Sequence, residues 1–146
     1  MKELLIILSI VISSGSDDKD DDTKKELKKL QGVWRIVLIE SEGFKMDKLG
    51  KDAKLTVMDG KLVFVVGDIP LNADYKLNPS KNPKTIDMVL MDPCNKGKVI
   101  LGIYDLQGED LKICFSLPGK ERPTDFTAKE NSKRKLYILK RIPTDR

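Results

Sequence analysis

The sequence predicts an all-β domain: an antiparallel up-and-down barrel of about eight strands, entered through a short N-terminal helix. Three observations carry this. From Val33 onward, apolar and polar residues alternate with period two. Two stretches, "AKLTVMDGKLVFVVG" and "KVILGIYDLQGEDLKICFS", fold back about a glycine-containing turn so that one face is wholly apolar. Further turn signals then recur at the spacing of short strands until the last strand-like run, "RKLYILKRI".

Residues 1–16, "MKELLIILSIVISSGS", carry Lys2, an apolar stretch from Leu4 to Ile12, and then the small residues Ser13, Ser14, Gly15 and Ser16. That layout predicts a signal peptide for export, with the membrane engaged only through this peptide. The apolar stretch is well short of the roughly 20 residues of a spanning helix, and a buried strand or a short anchor is the alternative. Residues 17–23 open with "DDKDDD", a self-repelling run that reads as an acidic linker. "TKKELKKLQG" next predicts an amphipathic helix. Leu27 and Leu30 share one face, Thr23 and Glu26 form a capping box, and Gly32 ends the helix. It is expected as a lid or plug on a domain at 24–142, with 143–146 as a tail.

In the first hairpin a type I′ turn at Asp59-Gly60 pairs Met58 with Lys61 and Val57 with Leu62. Carried outward, this register places Leu55 opposite Phe64 and Ala53 opposite Val66. In the second, a turn at residues 107–110 places Leu106 opposite Leu111, Tyr104 opposite Ile113 and Gly102 opposite Phe115, with Asp105 facing Lys112 on the other side. "LNADYKLN" and "KTIDMVLM" supply two strands between them, joined by "NPSKNP". The expected interior is Leu55, Val57, Leu62, Phe64, Tyr75, Met88, Tyr104, Ile113 and Phe115. Within it Phe64, Tyr75, Met88, Tyr104 and Phe115 are the candidate ligand contacts, and a polar handle on the ligand would sit near Tyr104 or Tyr75. The same residues read equally well as packed core.

Charge narrows the function classes. The net charge is +4; residues 1–16 are neutral and residues 17–22 carry −4, which leaves +8 on residues 23–146. The lysines are interspersed with acids and aromatics are few, so the pattern is a solvated surface and no nucleic acid is expected. The absence of histidine excludes a Ser-His-Asp triad, a Cys-His pair and histidine-ligated zinc. No metal site and no cofactor are expected. Asp87, Asp105 and Glu109 fall on outward faces or turns. In "PGKERPTDF", Glu121, Arg122 and Phe126 read either as an anion-binding rim at the barrel mouth or as a loop tied down by an Arg122 salt bridge, with Phe126 plugging an end. Cys114 sits opposite Ile103 while Cys94 precedes Ile103 by nine residues, too far for an internal disulfide unless the loop doubles back. Cys94 is then a free or an intermolecular thiol.

The single tryptophan stands in "LQGVWRIVLIE", at the start of the first strand. A Gly-x-Trp entering the first strand, up-and-down strands, and basic residues in the last strand resemble the calycin group of lipocalin-like barrels. The resemblance implies that Trp34, preceded by Gly32, closes one end of the barrel, with Arg141 or its neighbour Lys140 packed across it. The phrases "LQGVW", "YKLNPSKNPKTID", "KGKVILGIYDLQGEDLKICF" and "PGKERPTDF" are similar to an uncharacterised lipocalin-like domain family abundant in exported proteins of planctomycete bacteria, over about residues 24–142. That resemblance implies fold and export and marks no catalytic residue. The expectation is therefore an exported (periplasmic or extracellular), monomeric binding module without catalysis, holding a small apolar ligand. The alternative is an interaction domain with a side-chain-filled barrel that contacts another exported protein or a cell-envelope polymer.

Overall fold

Strands with one apolar face bury it most completely when the sheet curls until its first and last strands meet, which also removes both unpaired edges. The computed structural model describes residues 21–144. The expected signal peptide at 1–16 and linker residues 17–20 lie outside the described residues. A helix, α1 (21–30), is followed by β1 (Gly32–Ser41), β2 (Phe44–Met46), β3 (Lys54–Met58), β4 (Lys61–Val66), β5 (Ile69–Asn78), β6 (Lys84–Leu90), β7 (Val99–Gln107), β8 (Asp110–Ser116) and β9 (Arg134–Arg141). From β3 to β9 each strand pairs antiparallel with the next. β1 closes the ring, pairing with β3 through Gly32 to Arg35 and with β9 from Trp34 to Ser41. The result is a closed eight-stranded up-and-down barrel of lipocalin-like architecture, with β2 as a short return strand on the far end of β1.

The expected hairpin registers are present: Leu55 pairs with Phe64 and Val57 with Leu62, while Gly102 pairs with Phe115, Tyr104 with Ile113 and Leu106 with Leu111. Two details differ. Only Gly60 of the first turn has positive φ, so Asp59-Gly60 is not a type I′ turn. The Ala53–Val66 pairing is also missing: the β3–β4 ladder stops at Lys54–Val65, Ala53 bonds back to Ile36 N–H, and Val66 is exposed beside Ile69 in the next turn.

β1 carries an irregularity that the alternation did not indicate. Its register with β9 shifts between Ile36 and Leu38, which lets both Ile36 and Ile39 turn into the core. A strict period of two would direct them to opposite faces, and a bulge resets the parity while bending the strand. All nine expected interior residues lie in the main core cluster, with Leu30 of α1, Trp34, Ile86, Leu111 and Leu139. A smaller cluster forms on the outer wall, where Ala128 and Phe126 of the 117–133 connection cover Ile103, Cys114 and Leu136.

The barrel has unlike ends. Turns 59–60, 79–83 and 108–109 flank the end covered by α1, and connections 42–43, 67–68, 91–98 and 117–133 surround the other. α1 is already helical at residue 21, so Thr23 lies inside it rather than at its cap, and the expected capping box is replaced by a different use of Glu26. Gly32 is likewise not the helix stop. It is the first residue of β1, at φ 125°, and a Cβ there would lie 3.1 Å from Arg141 Nη1.

Candidate functional site

A short helix is marginal alone and leaves its last carbonyls without partners. Here all of them are satisfied by Gln31, by the strand that follows and by the strand that closes the barrel. Leu27 O accepts from Gln31 Nε2 at 3.0 Å, Lys28 O from Gln31 N at 3.3 Å, and Leu30 O from Trp34 Nε1 at 3.0 Å. Arg141 donates to Lys29 O and, at 2.8 Å, to Gln31 O. The guanidinium carbon lies 4.2 Å from the centroid of the Trp34 ring, and Arg141 pairs directly with Trp34 across β1 and β9. Trp34 is completely buried. Lys140, the other basic candidate, points outward to Asp110 at 2.7 Å. One indole and one guanidinium thus seal the barrel end and cap the helix together.

Beneath α1, the Glu26 carboxylate accepts from Tyr104 Oη at 2.9 Å and from Lys84 Nζ at 2.8 Å. Burial by itself would raise the Glu26 pKa; hydrogen bonds from Lys84 and Tyr104 and the Lys84 and Lys29 charges outweigh it and hold the carboxyl below its usual range. Burial and the Glu26 carboxylate push the Tyr104 phenol upward, so it stays a donor. Tyr75 Oη accepts from Gln31 Nε2 at 3.4 Å. The Tyr104 hydroxyl is therefore committed to α1, the Tyr75 hydroxyl meets Gln31 just beyond the helix, and both lie at the closed end, away from the cup.

The other end holds a cup of about 220 Å³. Of the five candidate ligand contacts, Phe64, Met88 and Phe115 form its wall, whereas Tyr75 and Tyr104 belong to the closed end. Leu71, Leu90, Ile100 and Tyr137 extend the apolar wall, Leu117 and Pro118 border it, and Lys135 stands at the start of β9. Phe64, Phe115 and Tyr137 pack ring against ring, with centroids 5.0 to 6.1 Å apart. Below them the interior is filled by Leu62, Ile113, Leu139 and their neighbours, so the barrel is a packed core carrying a cup. Burial raises the Tyr137 phenol to about 12.

Lys135 and Tyr137 were absent from the sequence-derived site, yet the signal was available. Arg141 facing inward on Trp34 implies, by period two, that Leu139, Tyr137 and Lys135 face inward as well.

Of the loop 118–126, Pro118 borders the cup, but the expected rim residues Glu121, Arg122 and Phe126 do not line it. Arg122 ties the loop to the barrel wall, donating to Asp87 Oδ1 at 2.6 Å and to the Gly102 carbonyl at 2.9 Å. Phe126 covers the outer face of the sheet rather than plugging an end, because Ile103, Cys114 and Leu136 form an apolar patch there that needs cover. The Glu121 carbonyl accepts from Ser116 Oγ. Both cysteines are free thiols, Cys94 exposed and Cys114 buried. Among the described residues, no group of three or more Cys, Asp or Glu side chains is placed to hold a metal ion. The chain matches no family model, no curated protein and no solved structure.

Proposed function

We propose that this chain is an exported, monomeric binding module that holds a small apolar ligand in the cup at the open end of its barrel and performs no catalysis on it. The cup carries this reading: about 220 Å³ of space walled by Phe64, Leu71, Met88, Ile100, Phe115 and Tyr137, in a barrel whose remaining interior is packed. This volume lies below the ~300 to 1,000 Å³ usual for drug-sized ligands, which points to a compact one. Export rests on the layout of residues 1–16, and the resemblance to exported lipocalin-like domains on the phrases quoted above and on the Gly32, Trp34 and Arg141 arrangement. Titration with 1-octanol, followed through the methyl resonances of Leu71, Met88 and Ile100, tests the cup. Saturable shifts confined to those residues are expected, and their absence overturns the reading. Intact-mass measurement after expression in a bacterium tests export, with retention of residues 1–16 on a cytosolic product as the opposing result.

One observation favours a second reading, a protein-interaction domain. Of the nine large hydrophobic side chains that are exposed among the described residues, only Met58 lies at the closed end; the other eight, including Ile69 at 83 % and Phe44 at 78 % exposure, border the open end. Clustered exposed apolar side chains mark contact surfaces in soluble proteins. Crosslinking to a partner through a photoreactive group at Phe44, with no effect of octanol, favours this alternative.

A further inference from the structure

The cup has an asymmetry that a purely apolar ligand leaves unused. On β9 the residues facing the interior alternate as Lys135, Tyr137, Leu139 and Arg141, because Lys135 pairs with the inward-facing Phe115 and Arg141 with the inward-facing Trp34. Arg141 satisfies carbonyls at the closed end. Lys135, at the other extreme of the same face, lines the cup and makes no ion pair among the described residues. Its neighbours Lys133 and Arg134 are both paired, with Glu42 and Asp125. No carboxylate lines the cup. One step deeper on the strand, the Tyr137 hydroxyl has no hydrogen-bond partner among the described residues, and burial keeps it protonated well above neutral pH. The cup therefore presents an apolar floor, the Tyr137 O–H as a donor in its wall, the Ser116 hydroxyl already donated to the Glu121 carbonyl, the Asn95 amide on the side of the 91–98 connection, and one uncompensated cation at its rim.

Resting on the reading of the cup as a ligand site, we infer that its ligand is a compact amphipathic anion, a carboxylate with an apolar body. The carboxylate accepts hydrogen bonds from the Lys135 ammonium and the Tyr137 hydroxyl while the body lies over Phe64, Phe115 and Met88. Charge-assisted bonds to a carboxylate are shorter and about twice as strong as neutral ones, and they gain further where water is excluded by an apolar wall. The size of the space sets the body: at ~30 Å³ for each water-sized group, 220 Å³ takes about seven such groups. A saturated or aromatic monocarboxylic acid of about that many carbons fits, and a long-chain lipid does not.

Octanoate and 1-octanol share a chain and differ in the head, so calorimetric titration of the protein with each, below the micellar range, tests the assignment. Octanoate is expected to bind at least about tenfold more tightly than octanol at neutral pH. Lys135→Met is expected to remove most of that preference, read as the ratio of octanoate to octanol affinity in the same variant, and Tyr137→Phe to lower octanoate affinity by a smaller factor. Lys98→Met, a change outside the cup in the 91–98 connection, is expected to change neither affinity. Lys135 is exposed, so its replacement leaves folding intact, which the melting temperature of the variant verifies. Equal binding of the two probes, or an effect of Lys98→Met as large as that of Lys135→Met, overturns the anion assignment and leaves the cup standing as an apolar site. Binding of neither probe overturns the cup itself and the anion assignment with it.

Discussion

Replacing Trp34 by alanine removes a wholly buried indole and, with it, the hydrogen bond to Leu30 O that caps the helix. Truncation of a buried aromatic costs about 3 to 5 kcal/mol, and this variant is expected toward the upper side of that range because it also leaves a helix carbonyl unpaired. Arg141→Ala removes donors to Lys29 O and Gln31 O and the guanidinium face 4.2 Å above the indole. Its pair with Glu109, at 3.2 Å, adds little because Glu109 is largely exposed. Two hydrogen bonds from a partly exposed cation and one cation–π contact amount to about 2 to 3 kcal/mol. The two side chains share the ring contact and cap the same helix end, so the double variant is expected to be less destabilised than the sum by about 1 kcal/mol. Urea unfolding of the wild type, both single variants and the double variant measures this, with the slopes checked for constancy before midpoints are compared. Losses that add to within ~0.3 kcal/mol refute the shared closure, and a Trp34→Ala protein of unchanged stability refutes the burial argument outright.

Glu26 is held below its ordinary carboxyl pKa in the folded protein, so its contribution is complete above the unfolded value near 4.5 and disappears as pH falls through the lower folded value. The stability gap between wild type and Glu26→Gln, on the order of 1 to 2 kcal/mol at neutral pH, is therefore expected to close as pH drops below about 4.5, as followed by denaturant titration. A gap that persists in acid counts against the ionised cluster. At about pH 8 an aromatic disulfide reagent should modify one thiol of the native chain, Cys94, and both after denaturation, since burial raises the Cys114 thiol to about 11; two fast thiols in the native state contradict this. Gly102→Ala places a methyl 2.6 Å from the Phe115 ring and 2.8 Å from the Cys114 carbonyl, so it is expected to cost about 1 to 3 kcal/mol and to weaken octanol binding by displacing Phe115 toward the cup. Unchanged unfolding and unchanged binding would show that the ring relaxes freely.

The β7–β8 hairpin was legible residue by residue in the sequence. Once a turn falls at residues 107–110, period two dictates every partner from Leu106–Leu111 to Gly102–Phe115, and no distant contact is needed. The same holds for β3–β4 until Ala53, where a backbone bond to Ile36, seventeen positions upstream, draws the chain away from the ladder. The placement of Trp34 at a barrel end and the class of the fold follow from such local patterns together with their count.

What the tertiary structure alone decided lies wherever remote segments compete for the same space. The parity of β1 is reset between Ile36 and Leu38 because one strand must serve both β3 and β9 around a closed ring, a demand absent from its own residues. Glu26 matched a capping pattern in sequence but turns inward because Tyr104, in β7, offers a buried hydroxyl that no local pattern reveals. Tyr75 and Tyr104 read as ligand handles, as any inward tyrosine does, but Glu26 of α1 takes the Tyr104 hydroxyl and Gln31, just after the helix, meets that of Tyr75. The cup has the same origin: side chains from β4 to β9 fill the interior beneath α1 and leave about 220 Å³ unfilled at the opposite end. Each inward position is legible from alternation, but the residual volume is a difference between the space the barrel encloses and the side chains that enter it, and it exists only when all eight strands have met.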